Sequence, residues 1–414
     1  MSLSTVIDQH IEEAGFLAGL RDLAVHAPHY DLAHLLDLDT RIEAHLDALQ
    51  IGGLKSLDLM LKELEPSAQG EIFAASVLAF ETANTSAMTR LAEHLRTHPD
   101  GASFMSAALG WLEWSRVEPW VEKLLGSPEA LFRRLGLAAC GMHRHDPGAA
   151  LLAGLSHADS GVLARAARTT GELRRRDLMA AIRAHRLHAD ENVRFWANWA
   201  TAQMGDEEAL EQLRQFAERP GEHQGRALNV LLCWQKREAS MAWLRTLAPN
   251  VEQRRLVIQG TGLLGDPVSV PWLIQQMGDL PHARVAGEAF SLITGADLAL
   301  LDLELVDTPD YDAGPTDDPH DPNVAMDPDQ DLPWPDPQLV QAWWQANQGN
   351  FQGGTPYLLG SPLSERQCLH VLRKGQQRQR IAAACALARF RPTEALFPTS
   401  APARRQQRLL AGMG

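Results

Sequence analysis

The sequence predicts an all-α fold, a curved right-handed α-solenoid in which helix pairs stack side by side. Ala, Leu, Glu and Arg dominate residues 60–300, and the strict alternation of Val and Ile that indicates strands is absent there. The same region resembles itself at intervals of 29–32 residues, which leaves room for two helices of roughly 12 residues and a turn. Because one such pair cannot cover its own apolar face, neighbouring pairs must stack.

Six arginines recur at one position of this repeat. They are separated by 31, 29, 32, 29 and 29 residues and comprise Arg134, Arg165, Arg194, Arg226, Arg255 and Arg284. Two weaker units begin at Glu71 and Ala102, so about eight repeats are predicted within residues 61–300. We expect the arginines to form a structural ladder in which each one pairs with the turn aspartate of a neighbouring repeat. A ligand-binding stripe shared by the six is the alternative.

The turns between the two helices of a unit carry helix-capping residues. Gly205-Asp206 and Gly265-Asp266-Pro267 are examples. Glycine permits a left-handed helix end, aspartate caps the next helix, and proline suits its first turn. The second helix repeats apolar residues on one face, for example at Val270, Leu273, Ile274 and Met277.

The two ends of the chain depart from the repeat. Residues 1–60 are predicted to form an N-terminal helical cap, in which residues 37–53 are one amphipathic helix ending at Gly52-Gly53. A cap of this kind covers the apolar face that the first repeat would otherwise expose. Residues 341–414 are predicted to form a basic helical repeat or cap, and residues 377–390 look like the first helix of another repeat. The apolar stripe of the N-terminal helix comprises Leu38, Ile42, Leu46 and Leu49.

Residues 301–340 are predicted to be an acidic, proline-rich inserted loop. Residues 312–337 contain eight Asp and seven Pro and no Lys or Arg, so they cannot form a helix. From Arg366 to Gly414 there are ten Lys or Arg and one acid, Glu394. Because opposite charges attract over about a Debye length, roughly 8 Å at physiological salt, we expect the segment to lie as a strap across helices, with Trp334 as an apolar anchor. A disordered loop is the alternative.

Tryptophan is frequent, with 11 Trp against 3 Tyr. Two pairs are spaced by three residues, which places both members on one helix face, and a third pair is adjacent in the chain. Tryptophan is enriched among interface hot spots, so seven are candidate partner-binding residues, and filling of the core between stacked helices is the alternative. The seven are Trp111, Trp114, Trp196, Trp199, Trp334, Trp343 and Trp344.

Motifs for catalysis or metal binding are weak. Residues 327–331, DPDQD, begin like a calcium loop, but Leu332 and Gln338 occupy the positions that need Gly and Glu. The clusters HRHD (residues 143–146) and HRLH (residues 185–188) fall at predicted turns or helix ends, where His is normally solvated or capping. The sequence contains no GxSxG or Walker motif. We therefore predict no enzymatic activity, no cofactor and no metal.

Charge and cysteine content limit the partners and the compartment. The formal net charge of −14 disfavours bulk attraction to nucleic acid or to an anionic membrane. The four cysteines show no CxxC spacing, and no run of about 18 uncharged apolar residues occurs. We expect a cytoplasmic protein that binds other proteins, without nucleic acid and without membrane insertion. The sequence leaves the oligomeric state open.

The repeat resembles HEAT repeats, in the short form also seen in bilin-lyase-like proteins, over residues 70–298. The resemblance implies a HEAT-like right-handed α-solenoid. Six motifs, in their order along the chain, also resemble those of a HEAT-like repeat family of Proteobacteria whose members are often encoded in type VI secretion gene clusters. These motifs are RIEAHLDALQIGG (residues 41–53), EAFSLITGADL (288–298), LPWPDP (332–337), WW (343–344), YLLG (357–360) and QRQRIAAACALA (377–388).

The second resemblance implies an accessory role, as an adaptor or chaperone that handles an effector or spike protein before secretion. It implies a secretion effector, spike or adaptor protein as the partner, and it carries over no functional residue because that family has no established reaction. A HEAT-like enzyme or accessory protein, of the bilin-lyase-like or hydroxylase-like kind, is the alternative, although the His-Glu dipeptides of di-iron HEAT-like hydroxylases are missing. A nucleic-acid binder is a third alternative.

Overall fold

Helices account for nearly all the regular structure of the protein. The computed structural model describes residues 3–62, 69–311, 313–314, 320 and 326–414. Within these ranges there are 22 α-helices, together with a two-stranded antiparallel hairpin. The predicted all-α fold is confirmed. No helix among the described residues has the length and apolar character needed to cross a membrane.

The chain divides into two units. Unit 1 consists of Met1–His26, Tyr30–Met204 and Thr393–Gly414, and unit 2 consists of Ala27–His29 and Gly205–Pro392. The division predicted from the sequence, into residues 1–60, 61–300, 301–340 and 341–414, is a division along the chain, and it stays a prediction.

Unit 1 contains 13 of the described helices. They are α1 (Leu3–Ala24), α2 (Leu32–Gly52), α3 (Leu54–Lys62), α4 (Gln69–Glu81), α5 (Thr85–Thr97), α6 (Ala102–Trp111), α7 (Trp114–Leu125), α8 (Ala130–His143), α9 (Ala149–Leu155), α10 (Ser160–Leu173), α11 (Met179–Arg183), α12 (Glu191–Ala202) and α22 (Ala403–Gly412).

Unit 2 contains the other nine described helices and the hairpin. They are α13 (Glu207–Glu218), α14 (Gln224–Trp234), α15 (Arg237–Leu247), α16 (Arg254–Leu264), α17 (Val270–Gln276), α18 (Leu280–Thr294), α19 (Pro337–Asn347), β1 (Tyr357–Leu358), β2 (Ser361–Pro362), α20 (Glu365–Lys374) and α21 (Gln377–Phe390).

The first helices of successive pairs pack against one another. In unit 1, α4 contacts α6, α6 contacts α8, α8 contacts α10, and α10 contacts α12. Small residues permit this close approach, since α10 buries Ala166 and Ala167 and α12 buries Ala197 and Ala200. Inside unit 2, α14 contacts α16 and α16 contacts α18 in the same way. Both units are therefore built by the stacking that the sequence period predicts.

The N-terminal helices cover the start of the stack in unit 1. α1 and α2 pack against each other, and both contact α4. The predicted amphipathic helix is confirmed, but it begins at Leu32 rather than at residue 37. The reason is Asp31, whose side chain accepts a hydrogen bond of 2.8 Å from the backbone N–H of His34 and so caps the first turn. All four residues of the predicted apolar stripe are buried.

The predicted capping residues cap turns in the structure. The side chain of Asp206 accepts from the backbone N–H of Glu208 at 3.2 Å, and that of Asp266 accepts from Val268 at 3.1 Å. Gly265 ends α16 in the left-handed region, with a φ of 69°. These local signals are readable because they depend on neighbours in sequence.

The hairpin lies directly against the ends of α16 and α18 in unit 2. The backbone N–H of Tyr357 donates to the carbonyl oxygen of Gly265 at 2.8 Å, and that of Leu359 donates to Leu292 at 2.7 Å. A side chain on Gly265 would overlap the carbonyl oxygen of Tyr357. Glycine is therefore required there both for its positive φ and for the close approach of a second backbone.

An apolar cluster in unit 2 fixes both flanks of the acidic insertion. Phe290 and Ile293 of α18 pack with Leu303, which precedes the acidic segment, and with Val340 and Trp344, which follow it. The residues before and after the acidic segment therefore pack into the same apolar core.

Candidate partner-binding surfaces

Three arginines on three helices of unit 2 bind the acidic segment. Arg255 on α16 donates to both carboxylate oxygens of Asp329, at 2.5 and 2.8 Å. Arg284 on α18 donates to a carboxylate oxygen of Asp327 and, at 2.9 Å, to the carbonyl oxygen of Asp329. Arg378 on α21 lies 3.4 Å from Asp329 Oδ1. The described part of the segment thus contacts three helices, of which only α21 belongs to the basic C-terminal region that the charge pattern indicated.

Trp334 holds the far end of this strap. The guanidinium carbon of Arg284 lies 4.4 Å from the centroid of its ring, and Tyr311 meets the ring edge-on with 6.0 Å between centroids. The carbonyl oxygen of Trp334 accepts a hydrogen bond from the backbone N–H of Leu305 at 2.8 Å. Residues 312, 315–319 and 321–325 of the predicted strap lie outside the described residues.

The strap takes the carboxylate of Asp329 out of water. Asp329 is only 4% exposed. Burial raises the pKa of Asp329, but the hydrogen bonds and charges of Arg255 and Arg378 outweigh it and hold that pKa below its usual value. The pKa of Glu288 on α18 shifts in the other direction. Burial raises it above its usual value, even though Arg378 donates a hydrogen bond to Glu288 at 2.9 Å.

The oxygens that a calcium loop would use are bound to guanidinium groups. Asp327 and Asp329 are the first two carboxylates of the DPDQD pattern, and both pair with arginine. Among the described residues, no group of three or more His, Cys, Asp or Glu is placed to hold a metal ion.

The arginine ladder has several kinds of partner instead of a uniform row of turn aspartates. Arg165 pairs with Glu172 of its own helix, and the last two ladder residues bind the strap. The turn aspartates are occupied differently, since Asp266 caps its own turn and pairs with Arg237. The other ladder members also lie on first helices: Arg134 on α8, Arg194 on α12 and Arg226 on α14.

The adjacent tryptophans of α19 take part in the core of unit 2. Trp344 is buried in the apolar cluster, and Trp343 packs against that cluster with its ring edge-on to Phe290, 5.6 Å between centroids. The two side chains leave α19 in different directions, as their adjacency requires. A partner-binding role for either one stays a prediction.

The spaced tryptophans of unit 1 differ in exposure. Trp196 is buried and meets Trp199 edge-on at 5.3 Å. Trp111 and Trp114 are half-buried. The ring of Trp114 stacks on His145 at 4.0 Å, and the guanidinium carbon of Arg21 lies 5.4 Å from the centroid of Trp111. Trp111 and Trp114 therefore remain accessible in part, and Trp196 does not.

The two histidine clusters serve neighbouring helix ends. His143 Nε2 donates to the carbonyl oxygen of Leu109 at 2.8 Å, and His185 Nε2 donates to that of Leu155 at 2.8 Å. These carbonyls lie in the last turns of α6 and α9, where intrahelical donors run out. Burial lowers the pKa of His143 to about 4, so its ring is neutral and suited to this contact.

A groove between α5 and α7 is a surface that the sequence did not indicate. Its cavity volume is about 410 Å³, with Met88 on α5 and Trp120 on α7 as walls and Phe80 and Met105 from α4 and α6 below them. Arg96 and Glu129 also line it, and Arg96 donates two hydrogen bonds of 2.8 and 2.9 Å to Glu129. The sequence signal was present in α5, where each groove-lining residue has another one three or four positions away: Thr85, Met88, Thr89, Ala92 and Arg96.

Comparison with known proteins agrees with this architecture. Residues 148–231, which run from the start of α9 into α14, match the family described as HEAT repeats. No curated protein gives a significant sequence match to the chain. With helix pairs stacked through both units and a HEAT match across their junction in sequence, the fold class is an all-α, HEAT-like solenoid.

Proposed function

We propose that the chain is a non-enzymatic protein-binding scaffold and that the groove between α5 and α7 receives a helix of a client protein. HEAT repeats are commonly protein-interaction scaffolds, and part of the chain matches them. The groove is the observation that carries the proposal. Its lining offers two methionines and three large aromatic rings, and such surfaces adapt to the apolar face of an amphipathic helix.

The finer proposal is an adaptor or chaperone for effector or spike components of a type VI secretion system. Its support is the set of six ordered motifs that spans residues 41–388. A scaffold of this kind needs no chemistry of its own, only a surface that holds a client segment until it is handed on.

The cysteines favour the non-enzymatic proposal. Cys140 and Cys368 are buried, and burial raises the pKa of each thiol to about 12. Because the thiolate is the reactive form of cysteine, such groups are poor nucleophiles near neutral pH. They fit as small core residues of α8 and α20.

Co-purification tests both levels of the proposal. The full chain is used as bait at micromolar concentration against purified effector, spike and sheath proteins of a type VI secretion system. The variant Met88→Asp places a charge on the groove wall, and Leu187→Asp is the matched control, because Leu187 is 78% exposed and lies outside the groove.

We expect at least one of these proteins to be retained by the wild type and by the Leu187 variant, and retained about tenfold less by the Met88 variant. Retention of none of them would reject the secretion role. Equal retention by the Met88 variant would reject the groove as the client site.

A further inference from the structure

Residues 393–414, here called the return segment, lie across unit 1 and are bound there like a separate peptide. The backbone N–H of Leu396 donates to the carbonyl oxygen of Glu172 at 2.9 Å, and its own carbonyl accepts from Arg144 Nε at 2.6 Å. Arg21 donates to the carbonyl oxygens of Ser400 and Ala401, at 3.2 and 3.1 Å. All of these bonds are made to backbone groups of the return segment, so an extended peptide of another sequence could form them too.

The helix at the end of the return segment is completed by unit 1. α22 follows Pro402, which provides no side-chain cap. Instead, Asp39 of α2 accepts from the backbone N–H of Ala403 at 2.6 Å, while its other oxygen accepts from Arg21 Nε, also at 2.6 Å. An isolated ten-residue helix is marginal in water. α22 therefore depends on a cap that comes from the surface beneath it.

Charge complementarity extends along α22. Arg404 lies 3.1 Å from Glu43 of α2, and Arg408 lies 2.6 Å from Glu113 at the turn between α6 and α7. Arg405 donates to carbonyl oxygens at the end of α6, those of Gly110 at 2.9 Å, Trp111 at 3.3 Å and Leu112 at 2.6 Å. Helix C-termini attract cations because these carbonyls lack intrahelical donors.

The apolar contacts of the return segment follow one helix face and one anchor. Ala403 and Leu410 are buried seven residues apart on α22, with Gln406 buried between them, and Phe397 is buried in the extended part. A basic helix with one buried face, preceded by an extended stretch, is thus the ligand that this surface accepts.

We infer that this part of unit 1 is a docking surface for a basic amphipathic helix of a partner protein, and that the return segment is its internal occupant. The surface, here called the return surface, comprises Asp39, Glu43, Glu113 and the carbonyls of Gly110–Leu112. The inference rests on the proposed function that the chain binds proteins, but it uses a surface other than the groove. The net charge of −14 favours basic partners in general.

The two occupants exclude each other. A tethered occupant has an effective concentration on the order of millimolar, so a partner meets a surface that is free in only a fraction of the molecules. Its apparent affinity is reduced by that fraction. Any change that weakens only the binding of the return segment to the return surface should raise the affinity of this surface for a helix of a partner protein.

The test uses the full chain and a fluorescein-labelled synthetic peptide of residues 393–414 as the probe. Binding is measured by fluorescence anisotropy in the wild type and in the double variant Arg405→Glu, Arg408→Glu, which repels its own return segment from Glu113 and the α6 carbonyls. We expect the double variant to bind the peptide about tenfold more tightly than the wild type. Higher salt should weaken this binding.

Two controls locate the binding. Adding Glu113→Lys to the double variant should lower peptide affinity about fivefold, whereas adding Glu122→Lys, an exposed acid of α7 outside the surface, should not. A peptide that carries both Arg→Glu changes should not bind. Equal peptide affinity in wild type and double variant, or no effect of the Glu113 change, would overturn the inference.

Hydrogen exchange of the wild-type chain gives a second, independent readout if the double variant unfolds. We expect amides of α22 to exchange faster than those of α2, through local release of the return segment. Exchange of both helices at one common rate would overturn the inference. The groove variant Met88→Asp should leave peptide binding unchanged, so undiminished client retention by this variant, together with intact peptide binding, would reject the groove and not the return surface.

Discussion

Asp329 accepts two hydrogen bonds from Arg255, a residue 74 positions earlier in the chain. Between the two lies the whole of α17 and α18 and the start of the insertion. One carboxylate in a segment without regular structure thus helps to fix where that segment crosses the helices of unit 2.

Removing the carboxylate should release the strap. We expect Asp329→Ala to lower the free energy of unfolding by about 2 kcal/mol, less than the 3–5 kcal/mol typical of a fully buried pair because Arg255 is partly exposed to solvent. Urea denaturation followed by circular dichroism measures the change. The control Asp307→Ala, at an exposed position, should behave like the wild type, and equal stability of both variants would show that the strap contributes nothing.

Gly265 should tolerate no side chain. Its φ of 69° disfavours an L-residue, and a Cβ would overlap the carbonyl oxygen of Tyr357. We expect Gly265→Ala to cost about 2 kcal/mol or more. Gly278→Ala is the matched control, because its Cβ would make only an ordinary contact of 3.5 Å with the carbonyl oxygen of Gln275. Thermal melting of the two variants distinguishes them, and similar melting temperatures would contradict the tight approach of the hairpin.

Acid should weaken unit 1 through Glu172. Burial raises the pKa of this carboxyl, but Arg165, Arg168 and Arg144 outweigh burial and lower it from 4.5 to about 2. A depressed folded-state pKa contributes stability above the unfolded value, and this stability is lost as pH falls from about 4.5 to about 2.

The variant Glu172→Gln should therefore be less stable than the wild type at neutral pH and should lose less stability across that acid range. Urea midpoints measured at several pH values report both effects, with Glu222→Gln as the exposed control. Parallel pH profiles of the wild type and the Glu172 variant would be incompatible with the buried ion cluster.

The N-terminal cap should depend on the inner face of α2. Leu49 is fully buried, whereas Ile51, two residues later on the same helix, is 88% exposed. We expect Leu49→Ala to cost about 2–5 kcal/mol and Ile51→Ala to change stability by less than about 0.5 kcal/mol. Chemical denaturation compares them directly, and a similar loss in both would mean that α2 does not bury the predicted face.

The local parts of this fold could be predicted because their causes lie close together in sequence. The caps at Asp206 and Asp266, the left-handed end at Gly265 and the buried stripe of α2 each depend on residues within one or two helical turns. The charge imbalance of residues 301–414 indicated a strap on the basic C-terminal helices, and Arg378 fits that expectation. The other two pairing arginines, Arg255 and Arg284, lie outside the basic region and needed the structure.

The surfaces could not be predicted, for two physical reasons. The contacts of the return segment join residues as far apart as Arg21 and Ala401, and no period in the sequence encodes such a pairing. The groove arises from the space between α5 and α7, and its lining combines side chains of several helices that are distant in sequence. Trp120 lines the groove although it has no tryptophan partner three residues away, whereas Trp196 has one and is buried.

The division of the chain has a consequence for biosynthesis. Residues 393–414 belong to unit 1, yet the ribosome makes them only after the whole of residues 205–392. At translation rates of about 5–20 residues per second, synthesis of residues 205–392 takes on the order of ten seconds or longer. During this time the return segment does not yet cover Asp39 and the last carbonyls of α6. A basic helix of another protein, including one that is translated at the same time, can therefore reach the return surface before the return segment has been made.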